Sequence, residues 1–204
     1  AAQLLEAHPD VTHVFLASGA CLPLRPVDEL RRFLASYPEA DFIESVSVRD
    51  VGWTVGGLNE ERFTLHFPFS FRRHRKLFDR YVRLQRRLGV ARPIPQGVKP
   101  HIGSQWWCLR RHTVEAVLAL IQDRPELVRF FRTTWIPDET FFQTVVPHVV
   151  ARREIRSRTL TFLMFTDYGM PVTFYNDHYD LLLGRCQCLL AALTSQRCCR
   201  LSKR

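Results

Sequence analysis

Pro137, Asp138 and Glu139 follow one another inside the stretch TTWIPDETFF at residues 133–142. Proline has no N–H and a fixed φ, so it stops whatever precedes it. Asp138 then reads as the N-cap of a helix with Glu139 in its first turn and Phe141, Phe142, Val145 and Val146 along its body. A carboxylate held there stays ionised and points in one direction, the state in which it can do chemistry. The plain alternative is that Glu139 only complements the helix dipole, a routine contribution of about 0.3–1 kcal/mol. Other reactive side chains offer less. Of the six cysteines, Cys186, Cys188, Cys198 and Cys199 crowd into the last nineteen residues, as CQC and CC, and fit no paired zinc-ligand spacing. Cys21 and Cys108 stand alone, as in a protein of a reducing compartment. No GxSxG or HExxH element points to a hydrolase.

The elements that must position these residues are those of an α/β chain. At 204 residues with 46% hydrophobic and 24% charged side chains, the composition suits one ordinary domain or most of a larger one. VTHVFLASG at 11–19 reads as a buried, parallel strand, RPVDELRRFLASYP as a helix facing the core with Leu30, Phe33 and Leu34, and ADFIESVSV at 40–48 as a second strand. A loop-rich excursion follows, then a basic helix over 71–89 with Phe71, Phe78, Tyr81 and Leu88 as its apolar stripe. A short strand is expected around Gln105–Leu109, a helix from about Thr113, and a strand over TLTFLMF. The net charge is +9, of which residues 185–204 hold five basic residues and no acid. That tail and residues 71–87 could attract phosphates, anionic lipid or acidic polymers. The basic helix reads first as a solvated cationic face. Nucleic-acid binding ranks last, because the aromatics fall opposite the basic side chains.

Four stretches, taken in order, resemble the core-2/I-branching β-1,6-N-acetylglucosaminyltransferase family, which includes the peptide O-xylosyltransferases. They are FLASGACLPLRP (15–26), GSQWWCLRR (103–111), WIPDETFFQTVV (135–146) and TFLMFTDYGMPVTF (161–174), the last similar to bacterial members. The likeness spans roughly residues 12–184, and the GSQWW and PDE pair is its specific part. It implies a GT-A-type nucleotide-sugar transferase sandwich that inverts the anomeric carbon in one displacement. Residues 1–184 would form the transferase domain, incomplete at the N-terminus because a first β-α-β part is expected before Ala1. The substrates implied are a UDP-sugar, carrying N-acetylglucosamine or xylose, and a hydroxyl of a glycan or polysaccharide.

Through the same resemblance Glu139 matches the general base. Glu44 and Arg62 match acceptor-binding positions, although Asn59 stands where Lys is usual and Glu44 could be an edge charge. Trp106 and Trp107 could stack on a sugar or belong to the core, and Ser104 could bond the sugar or cap the turn after Gly103. Asp138 is counted with the substrate-binding group. Cys21 replaces a common Asp, and the family works with basic side chains on the diphosphate, so no metal or other cofactor is expected. Arg185 is the basic residue nearest the place of the usual donor-site motif. The composition changes abruptly there, which reads as an atypical tail translated out of frame. Bacterial relatives imply a cytoplasmic protein, peripheral at the inner face of the membrane; eukaryotic ones imply the Golgi membrane. The competing reading is a non-catalytic fragment or carbohydrate-binding relic of the same fold.

Overall fold

A computed structural model of the chain describes residues 2–19, 21–51, 58–69, 74–167, 172–184 and 190–192. Its main sheet has four strands in the order β1 (His13–Phe15), β6 (Trp107–Arg110), β3 (Asp41–Ile43), β7 (Ile155–Arg156). β6 is antiparallel to both β1 and β3, whereas β3 and β7 are parallel. The unit β1–α2–β3, with α2 at Val27–Ala35, therefore runs as the sequence suggests, both strands in one direction. They are not neighbours, however, because β6 inserts between them. The parallel partner expected for residues 11–19 is thus replaced by an antiparallel one.

Alternation along the strands explains why helices cover both faces. Ile43, Trp107 and Leu109 point into a core shared with Val114 and Val117 of α5 (Arg111–Asp123) and Val145 and Val146 of α7 (Phe141–Val149). Phe42 and Cys108 point the other way, onto Leu30, Phe33 and Leu34 of α2. Strands buried on both faces read as continuous apolar runs, as these do. A three-stranded sheet, β2 (Cys21–Pro23), β9 (Leu190–Ala192) and β8 (Thr161–Phe162), sets three residues of the basic tail between two strands of the domain. The segment 40–48 divides, with Val46–Ser47 (β4) leaving the main sheet to pair with His101–Ile102 (β5).

Three local expectations are corrected. Pro137–Glu139 is a single 3-10 turn, and α7 begins at Phe141 behind Thr140, so Asp138 is not its N-cap and Glu139 is not in its first turn. The 51–70 excursion contains a short helix, α3 (Glu61–Thr64). The basic helix is α4 (Arg75–Arg87), and it buries Phe78, Val82 and Gln85, spaced i, i+4, i+7; Leu88 is 67% exposed. Phe71 lies outside the described residues. Gln85 occupies a core position because its amide meets the main chain of His66 on both sides, accepting from the N–H at 2.8 Å and donating to the carbonyl at 3.0 Å. Hydrophobicity alone does not anticipate a glutamine there. Among the described residues, no helix is long and apolar enough to cross a membrane.

At one end of the main sheet, where β3 starts and β6 finishes, Arg110 and Asp41 form a buried pair. Arg110 donates from Nη2 to Asp41 Oδ2 (2.7 Å) and to Glu154 Oε2 (2.6 Å), and Thr113 Oγ1 donates to Asp41 Oδ2 at 2.8 Å. Asp41 also accepts the Arg110 backbone N–H at 2.8 Å, so both carboxylate oxygens are satisfied. The cluster locks β6 to β3 and to the start of α5. Burial works against the Arg110 charge, but its carboxylate partners outweigh that and raise its pKa.

Candidate active site

Glu139 sits at the end of the 3-10 turn with its side chain 40% exposed. Its Oε2 accepts from Arg62 Nη1 at 3.0 Å, while the Arg62 side chain is only 10% exposed. Arg62 is held on two further sides. Its Nε donates to the Leu58 carbonyl at 3.0 Å, and its guanidinium lies over the Trp135 ring at 4.7 Å. A planar cation so fixed presents a directed charge to the carboxylate rather than a mobile one. α3, two residues of which are buried, is what carries Arg62 into place.

Glu44 follows β3 at the point where the chain leaves the main sheet. Its Oε2 accepts the Ser104 backbone N–H at 2.8 Å. Gly103 stands against the Glu44 main chain so closely that a Cβ on it would lie 2.0 Å from the Glu44 carbonyl oxygen. Only glycine tolerates that approach. The Gly103 N–H in turn donates to the Glu139 carbonyl at 3.1 Å. The Gly103–Ser104 step therefore touches both acids, one through each N–H. Ser104 Oγ accepts the Trp106 N–H at 3.3 Å, so the hydroxyl caps the turn.

Gln143, which sequence reading passed over, holds the two motifs together. Fully buried in α7, it donates from Nε2 to the Ser104 carbonyl at 2.6 Å and to the Asp138 carbonyl at 3.4 Å. Ser45 Oγ donates to its main-chain carbonyl at 2.7 Å. A glutamine four residues after a turn carboxylate, in an otherwise apolar helix, was the available signal. Ile136, just before Pro137, has φ 51° and ψ 68°, the left-handed region. For a β-branched residue preceding proline this is strained backbone, and such strain concentrates at functional sites.

Glu44, Arg62, Ser104 and Glu139 thus converge, with Asp138 exposed on the same turn. The two tryptophans are buried. Trp107 packs on Phe142 with ring centroids 4.6 Å apart inside the core, and Trp106 is 8% exposed. Arg185 lies outside the described residues. Cys21 Sγ accepts the Ser18 backbone N–H at 3.3 Å, a local turn contact.

Residues 1–180 match the family model described as Core-2/I-Branching enzyme. The chain belongs to the core-2/I-branching enzyme family. Among curated proteins, this core-2/I-branching chain is similar to Xylosyltransferase 1 of Rattus norvegicus, 31% identical over 135 residues that make up 64% of this chain and 14% of that protein. The Homo sapiens and Mus musculus proteins of that name match with the same identity over 12% of their length. The aligned part of the core-2/I-branching chain therefore spans about one seventh of the length of these relatives or less.

Proposed function

We propose that this domain belongs to an inverting glycosyltransferase that moves N-acetylglucosamine or xylose from a UDP-sugar to a hydroxyl of a glycan or polysaccharide, with Glu139 as general base. Family membership supports the reaction class. The observation that carries the residue assignment is the half-exposed Glu139 carboxylate, clamped by a buried Arg62 beside Glu44. In the step, the acceptor oxygen attacks C1 of the donor sugar while its proton passes to Glu139. The C1–O bond to the diphosphate breaks, and UDP leaves with the electron pair. Arg62 binds one carboxylate oxygen and fixes the other toward the acceptor; proximity of that kind supplies much of the rate of such reactions. Glu44, tied to Ser104, is suited to accept hydrogen bonds from acceptor hydroxyls. A GT-A-type sandwich is the fold this reading implies. Cys21 in place of an acid favours a metal-independent donor site in which basic side chains, Arg185 among them, face the diphosphate.

In the complete, active enzyme Glu139→Gln should lower kcat by about 10²–10⁴ with the fold intact. Turnover above half that of the parent would return Glu139 to a structural role. The second reading is carbohydrate binding without transfer. It is favoured by one feature: every charged residue brought together at the described site is on the acceptor side of the assignment, with Arg185 outside it. Calorimetric titration of the complete protein with UDP separates the two, since only the transferase needs a nucleotide pocket.

A further inference from the structure

The sequence assigns Leu88 to the buried stripe of the basic helix and the remainder to a solvated cationic face. The structure divides α4 differently. Leu77 and Leu84 are each 51% exposed, Leu88 is 67% exposed, and Tyr81 between them is half-buried. The spacing 77, 81, 84, 88 is i, i+4, i+7, i+11, a single stripe about 16 Å long at 1.5 Å per residue. With successive residues about 100° apart, it lies roughly 90° around the helix from the buried Phe78, Val82 and Gln85. On its other side lie Arg80, Arg83 and Arg87, all exposed. None of the three takes part in an ion pair among the described residues, whereas Arg86, outside this group, is held by Glu61.

We propose that this leucine stripe and its arginine flank form a docking face for an anionic lipid bilayer, with the leucines entering the interface and the arginines on headgroup phosphates. Leucines and unpaired arginines side by side on one helix are what interfacial binding requires, and long arginine side chains reach phosphates while their stems stay apolar. Charge complementarity selects an anionic partner. Three exposed arginines with no acid among them select phosphate headgroups over a partner helix, whose seam the same leucine spacing would also fit. A concavity of about 250 Å³ between Leu58, Phe78, Asp79, Val82, Arg83 and Arg86 lies away from the leucines and shares only Arg83 with this face. Leucine exposed on a stable, folded helix, rather than on an isolated peptide, needs no ordering on contact, so little conformational entropy is lost at the membrane.

The test is vesicle flotation of the whole chain. Vesicles of phosphatidylcholine plus phosphatidylserine should carry the protein, and pure phosphatidylcholine should not. The triple variants Leu77→Ser/Leu84→Ser/Leu88→Ser and Arg80→Gln/Arg83→Gln/Arg87→Gln should each bind at least roughly tenfold more weakly, and added salt should weaken the parent. Leu88→Glu alone repeats the test at a 67% exposed residue beyond the end of the helix, where little packing is lost, so a misfolded triple variant does not stall it. Failure of the parent to float overturns the proposal. So does undiminished flotation of the leucine variants, which would assign binding to the basic tail, or capture by heparin with no vesicle binding, which would make the partner an acidic polymer. None of these readouts depends on sugar transfer.

Discussion

Gly103→Ala puts the tightest contact in the site to a direct test. Gly103 has no left-handed φ, so the glycine is not there for backbone freedom. It is there because a Cβ would stand 2.0 Å from the Glu44 carbonyl oxygen and 2.7 Å from its carbon, both main-chain atoms that cannot swing aside. To restore even a tight contact the two segments must separate by about 1 Å or more, since Cβ atoms are essentially never found within 3.0 Å of a neighbour. That movement pulls the Ser104 N–H from Glu44 Oε2, now at 2.8 Å, and the Gly103 N–H from the Glu139 carbonyl, now at 3.1 Å. A hydrogen bond to a charged group contributes about 1.5–3 kcal/mol, and overpacking alone costs about 1–3 kcal/mol. Partial relaxation lets these overlap, so a loss of about 2–4 kcal/mol is expected, a large part of a domain's ~5–15 kcal/mol. For a chain of this size it lowers Tm by about 5–15 °C. Urea unfolding followed by circular dichroism measures it. An alanine variant within about 0.5 kcal/mol of the parent would refute the reasoning, because it would mean that Glu44 and the Gly103–Ser104 step are not in contact.

Arg110→Leu strands the Asp41 carboxylate in the core and should cost about 3–5 kcal/mol; adding Asp41→Leu should recover more than half, since an apolar pair replaces a buried ion pair at little cost. A double variant no better than the single one would contradict this. Burial lowers the pKa of His13 and His101 below 6.5, so the fold favours their neutral forms. Their contribution is complete above pH 6.5 and is lost as pH falls through the lowered folded values. The Arg110 partner that depresses the Glu154 pKa acts only below 4.5, outside that window. Unfolding free energy should therefore drop between pH 7.5 and 5.5, and His13→Gln/His101→Gln should flatten the slope; an unchanged slope in the double variant would count against it. Cys108, buried with its thiol pushed up to about 12, should resist alkylation in the native protein at pH 8, as peptide mapping by mass spectrometry would show.

Local patterning carried much of this protein in the sequence. The strand–helix–strand run through residues 11–48, the helix after Pro137 and the order of the GSQWW and PDE segments all follow from side chains a few positions apart, which is the range over which hydrophobic period and turn chemistry act. What the sequence could not decide was which segments meet. The insertion of β6 between β1 and β3 is a matter of sheet pairing over nearly a hundred residues, invisible to any local rule. Even close at hand, α7 is capped by Thr140 rather than Asp138, with Pro137–Glu139 a separate turn after the left-handed Ile136 whose Asp138 carbonyl Gln143 holds. Leu88 is exposed because the buried side of α4 centres on Phe78, Val82 and Gln85, and local hydrophobicity does not place a glutamine there. Arg62 and Glu139 are 77 residues apart and Glu44 and Ser104 are 60 apart. Each of these side chains is unremarkable by itself in the sequence. Their juxtaposition belongs to the tertiary structure, because only the packed core, with α3, α7 and the Gly103 contact, brings the separate segments within hydrogen-bond distance.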